Sequence, residues 1–167
     1  MITYQVDQCA DSRKFVEACT QQGLVKVWRF PHRLKGKDDP DVLAEVLPSG
    51  RTLLTTDREI HVRHAAHIPE IHSGILIIAD TSSPHTLTTR DVMRILSAFK
   101  DRFAEWHTVS LHNVVVELTA KSVEVWKVVH STPRQVAFVY LDQPNWQAAL
   151  SAALTSSAGG ESIPLAS

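Results

Sequence analysis

Three aspartates in the first half of the chain each close a run of apolar residues: Asp7 ends "ITYQVD", Asp57 ends "TLLTTD" and Asp80 ends "GILIIAD". A fourth, Asp39, opens the segment "DPDVLAEVL", where Pro40 sits at a position that favours the first turn of a helix. If the apolar runs are parallel strands, their carboxyl ends share one edge of a sheet, and so do the starts of the helices that run back from it. Carboxylates brought within about 4–6 Å of one another repel, unless a divalent cation neutralises them. Hard oxygen donors that leave water in the shell favour Mg²⁺ or Mn²⁺ over zinc, and such an ion supports hydrolysis of a phosphodiester. Each aspartate taken singly is equally well explained as a helix cap. The coincidence of several on one edge is what points to a metal site.

Strands and helices must alternate for this edge to exist, and the hydrophobic periodicity predicts that they do. Strands are expected at 2–7, 24–30, 51–57 and 73–80, with helices at 11–23, 38–50 and 88–106 and a weakly helical stretch from Arg58 to Pro69. Val92, Ile95, Leu96, Phe99 and Phe103 form one apolar stripe on the helix at 88–106. Beyond it, "NVVVELTAKSVEVWKVV" reads as an antiparallel strand pair, "QVAFVYLD" as a further strand and "QPNWQAALSAAL" as a last helix. The expectation is an α/β fold around a mostly parallel sheet, with the main domain at 1–130, an extension of strand and helix at 131–155, and a disordered tail at 156–167.

Bulk composition narrows the function classes. The 167 residues suffice for one full core, and 44% hydrophobic with 21% charged residues is an ordinary globular balance. A net charge of -1 gives no global attraction to nucleic acid, so any such site must be a local patch. The strip "VWRFPHRLKGK" offers one: Arg29, Arg33, Lys35 and Lys37, with His32, beside Trp28 and Phe30 and just upstream of Asp39. Such a strip can hold phosphates and stack a base, or be a solvated loop with Trp28 in the core. Cys9 and Cys19, without CxxC spacing, read as reduced thiols of a cytoplasmic protein, and no apolar run approaches a membrane span. His61, His64 and His67 recur every three residues, which reads as an exposed helix face, since no cysteine or acid completes a ligand set around them. Neither a phosphate-binding glycine loop nor a nucleophile elbow is present.

"ITYQVDQCADSRKFVEACTQQGLVKV", "GKDDPDVLAEVLPSGRTLLTTDREI" and "SGILIIA" together resemble the small PIN-like proteins of the PIN-domain superfamily, and the similarity extends to about residue 130. The resemblance implies a three-layer α/β/α PIN-like fold with a C-terminal strand pair. It also implies a metal-dependent ribonuclease, the toxin of a toxin-antitoxin pair. Carried over by position, Asp7, Asp39 and Asp57 would be the catalytic and metal-binding acids, and Thr55 a hydroxyl that positions a carboxylate or a water. Gly74 falls on the glycine of the family's later strand. Glu59 and Asp80 are further metal candidates, Glu59 standing where the family has Asp and Asp80 resting on topology alone. Mg²⁺ or Mn²⁺ is the implied cofactor, RNA the substrate, and an antitoxin or a second copy of the chain the implied partner. The alternative is a catalytically weak PIN-like module that binds RNA or protein. A receiver-like phosphoacceptor domain also puts acids at strand ends, but neither "GILIIAD" nor "NVVVEL" is followed by the lysine it requires.

Overall fold

The computed structural model describes residues 2–24, 26–80, 87–103 and 109–158. Seven strands form one sheet: β1 (Tyr4–Val6), β2 (Val27–Trp28), β3 (Thr52–Thr55), β4 (Ile75–Ile78), β5 (Val115–Leu118), β6 (Ser122–Val129) and β7 (Thr132–Tyr140), in the order β2-β1-β3-β4-β5-β6-β7. The first five run parallel, and β6 and β7 return antiparallel, with a register shift at Val125/Trp126. The helices are α1 (Arg13–Gln21), α2 (Asp39–Val46), α3 (Ile60–Arg63), α4 (Thr89–Lys100) and α5 (Trp146–Ala158).

Strand period explains the layering. Leu54, Leu76 and Ile78 join a cluster with Phe15 of α1, Ile95 of α4 and Leu150 of α5, whereas their neighbours Leu53, Ile75 and Ile77 join another with Leu43 of α2, Ile60 of α3 and Phe30. Successive side chains point to opposite faces. Both faces are therefore covered, and three layers result, helices on sheet on helices. Ser12, rather than Asp11, caps α1 by accepting from the Phe15 amide, and Asp38 rather than Asp39 precedes α2. Thr88 and Asp91 form a reciprocal capping box on α4. The expected strand at 24–30 shortens to the two residues of β2, and Val25 lies outside the described residues, as do the last three residues of the helix expected at 88–106. α5 runs to Ala158, three residues into the expected tail, whose remainder also lies outside them. Among the described residues no helix is long and apolar enough to cross a membrane.

The sheet has unequal margins. β2 ends it after two residues, while β7 ends it after nine and leaves Val136, Phe138 and Tyr140 exposed, with the two rings edge to face at 4.8 Å.

Entry into β4 depends on one backbone turn. The Asn113 side chain accepts from the His72 amide at 2.9 Å, the Asn113 amide donates to the His72 carbonyl at 2.9 Å, and the Gly74 amide donates to His72 Nδ1 at 3.0 Å. Gly74 has φ +97°, and a Cβ there would stand 2.2 Å from the Leu111 carbonyl oxygen. Gly50 has φ +76° but open space around it. Gly74→Ala should therefore cost at least about 3 kcal/mol, against about 1–2 kcal/mol for Gly50→Ala, in urea unfolding followed by circular dichroism. His72 is buried, and desolvation first, with His112 second, lowers its pKa to about 4. The unfolded chain takes up this proton near pH 6.5 and the folded chain only near 4. Stability is thus intact above 6.5 and falls as pH drops toward 4, by on the order of 3 kcal/mol. His72→Asn should flatten that slope in the same unfolding series.

Candidate functional site

The order β2-β1-β3 reverses direction at β1, so the crevice between the carboxyl ends of β1 and β3 is the switch point at which open α/β sheets bind ligands. Asp7 emerges there, only 5% exposed. Its Oδ1 accepts from the Gln8 amide at 2.6 Å, and its Oδ2 accepts from Thr55 Oγ1 at 2.9 Å and from the Cys9 thiol at 3.2 Å. Thr55, fully buried at the end of β3, also accepts from the Asp57 amide at 3.1 Å. One hydroxyl thus ties the first aspartate to the backbone of the third. Thr56 donates to Cys9 Sγ at 3.4 Å, and Cys9, Thr56 and Ser12 border a cavity of about 170 Å³ beside this junction. Burial first, then the Asp7 charge, raises the Cys9 pKa, with hydrogen bonds from Thr55 and Thr56 opposing. The thiol is held protonated at neutral pH and is a poor nucleophile.

The other acids have side-chain partners of their own. Asp57 accepts the Glu59 amide on Oδ1 at 3.0 Å and faces Arg63 Nη2 with Oδ2. Glu59 Oε2 lies 3.5 Å from Arg63 Nε. The Arg63 pKa is raised chiefly by its bond to Asp57 and by the charge of that group, with Glu59 and Asp39 adding smaller amounts. Asp39, on the first turn of α2, pairs with His64 Nε2 at 3.0 Å. Asp80, beyond β4, is bound by Arg94 of α4. Asp7, Asp57 and Asp80 thus follow three adjacent parallel strands, as the spacing predicts. Among the described residues no three His, Cys, Asp or Glu side chains converge as a ready ligand set.

The basic strip divides in two. Arg29 is committed to Asp11, with Nε to Oδ1 at 2.8 Å, which lowers the Asp11 pKa, and Arg33 is committed to Glu45. Lys35 and Lys37 are exposed on a loop that the Gly36 amide fastens to Gln8 Oε1 at 3.1 Å, next to Asp7. Trp28 is 54% exposed, so the reading that places it in the core is corrected. β2 is the outermost strand of the sheet on this side.

His61 reverses its expectation as well. It is 3% exposed and tilted against Trp126 at 4.9 Å, burial being the main cause of its lowered pKa. Of the three histidines, His64 and His67 stay on the outer side, their rings tilted together at 6.5 Å, with His64 also turned to Asp39. The sequence reading also missed Glu117 and Arg58. Glu117 is buried opposite Glu124 across β5 and β6, burial raises its pKa, and Arg58 Nε donates to it at 2.7 Å. An acid inside "NVVVEL" was the available signal. Arg63 could have been found from its place four residues after Glu59, a helical neighbour spacing, whereas nothing in the spacing connects His64 with Asp39.

No family model, no curated protein and no solved structure matches the chain.

Thr55→Val removes the donor to Asp7 and the acceptor for the Asp57 amide while keeping shape. It should destabilise by about 1–3 kcal/mol in chemical denaturation, and Thr55→Ser should recover most of the loss.

Proposed function

We propose that the chain is a PIN-like, Mg²⁺- or Mn²⁺-dependent ribonuclease, the toxin of a toxin-antitoxin pair, working at the edge beyond β1 and β3. The observation that supports this reading is Arg63: one guanidinium bonded to Asp57, close to Glu59 and within the field of Asp39. Several carboxylates at a switch point that share a single organic cation are acids in need of positive charge.

The donor chemistry fits a hard divalent ion. Asp39, Asp57 and Glu59 are at least partly exposed, and Asp7 accepts three hydrogen bonds where a carboxylate offers about four lone-pair directions. Asp7, Asp39 and Asp57 would hold the ion, with Glu59 in support, once Arg63 and His64 turn away. Asp80 is less suited, because Arg94 already engages it. When bound, the ion would polarise the phosphodiester and acidify a water. The chain itself contributes the Thr55 hydroxyl that fixes Asp7, and Lys35 and Lys37, which are placed to meet backbone phosphates. An antitoxin chain and a second copy of the protein belong to the same proposal as partners.

The second reading, a PIN-like module that binds RNA or protein with weak or no cleavage, is favoured by the protein-borne partners that Asp39, Asp57 and Asp80 already have. Cleavage of single-stranded RNA with Mn²⁺ separates the two. Asp57→Ala should lower the rate by about 10²-fold or more, and equal residual activity in both proteins would leave only the binding reading. In calorimetric titration Arg63→Gln should bind Mn²⁺ several times more tightly than the unaltered chain, and affinity in both should fall on acidification as the carboxylates protonate.

A further inference from the structure

A groove of about 540 Å³ opens at the opposite edge of the sheet, bordered by Lys26, Trp28, Ser49 and Arg51 and, among the described residues, by no carboxylate. It lies at the amino ends of β1 and β3, so it is separate from the edge that carries Asp7 and Asp57. The Arg51 guanidinium sits 5.0 Å from the centre of the Trp28 ring. Its position is fixed from below, because Arg51 Nη1 donates at 2.9 Å to Gln5 Oε1. Gln5, 2% exposed, turns its Nε2 the other way and donates to the Arg29 carbonyl at 2.6 Å and to the Trp28 carbonyl at 3.3 Å. One buried amide therefore sets both the strand that presents the indole and the cation stacked on it.

Trp28 presents an exposed aromatic face with Arg51 stacked on it and Lys26 beside it, and the described lining holds no acid. Apolar partners would leave Lys26 and Arg51 desolvated and unpaired. A flat π-system that carries negative charge satisfies both requirements, since planar guanidinium and indole groups stack on bases while the cations meet phosphates. We propose that this groove is a binding platform for one base and its adjoining phosphate in a single-stranded nucleic acid. Arg29, next along the chain, is neutralised by Asp11, so the positive charge of the platform is that of Lys26 and Arg51, with Lys35 and Lys37 lying farther off on the loop fastened to Gln8. The platform is independent of metal and of any cleavage at the other edge.

Fluorescence anisotropy with an end-labelled hexamer of riboadenylate, in EDTA so that cleavage plays no part, tests it. The unaltered chain should bind. Trp28→Ala should weaken binding about tenfold, Trp28→Phe should retain most of it, and Arg51→Lys, which keeps the charge but loses the planar stack, should weaken it too. Lys26→Gln should reduce the slope of log affinity against log salt by about one. Equal affinity of Trp28→Ala and the unaltered chain, no binding by the unaltered chain, or an abasic oligomer bound as tightly as the riboadenylate would each overturn the platform. Because Trp28→Phe and Arg51→Lys preserve bulk and charge, they keep the result decisive even if Trp28→Ala does not fold.

Discussion

Leu53 and Leu54 are adjacent in sequence and both fully buried, yet they belong to different layers, and the same holds along Ile75 to Ile78. A sheet covered on both faces leaves its central strands no solvated side, so charge can be placed there only at strand ends. That constraint organises most of the molecule's chemistry. Asp7, Asp57 and Asp80 lie where β1, β3 and β4 run out, and Lys26 and Arg51 lie where β2 and β3 begin. Glu117 is the exception within a strand. It is tolerated because Arg58 reaches it from the loop after β3 and because β5 is followed by antiparallel strands of more mixed character.

At each end a small set of neutral groups converts backbone geometry into side-chain placement. The Thr55 hydroxyl links a carboxylate on one strand to an amide beyond the next. Gln5 does the equivalent at the other end, joining a carbonyl on β2 to a guanidinium before β3. Both are uncharged, so neither adds to the field it arranges. α3 and α4 supply two guanidiniums to this edge, Arg63 to Asp57 and Arg94 to Asp80. Asp7 is met by neutral donors and Glu59 shares Arg63 with Asp57, so carboxylates outnumber guanidiniums there.

Much of this could be read from residue order alone, and the failures have physical reasons. The apolar runs, Pro40 in the first turn of α2, the antiparallel return after "TAKS" and the common edge of three aspartates all follow from local pattern and connection rules. Trp28 and His61 did not, because burial of an isolated aromatic or imidazole is decided by what packs across the sheet, and β2 stops two residues in, whereas Trp126 arrives from 65 positions away in sequence (126 − 61) to cover His61. The acids could be located, but not their partners. Arg63 and His64 were visible as a helical face, and nothing local says which way that face turns.

The two margins of the sheet also divide the molecule into a sparing side and an adhesive one. Two residues of β2 offer too few backbone groups to recruit another strand, while nine residues of β7 carry Val136, Phe138 and Tyr140 into water. Against that stand Pro133, which has no amide to donate, Arg134 at the start of the strand, and the kink opposite Val125 and Trp126. The adhesive character of the surface is thus concentrated in a handful of residues on β7, at the opposite margin of the sheet from β2.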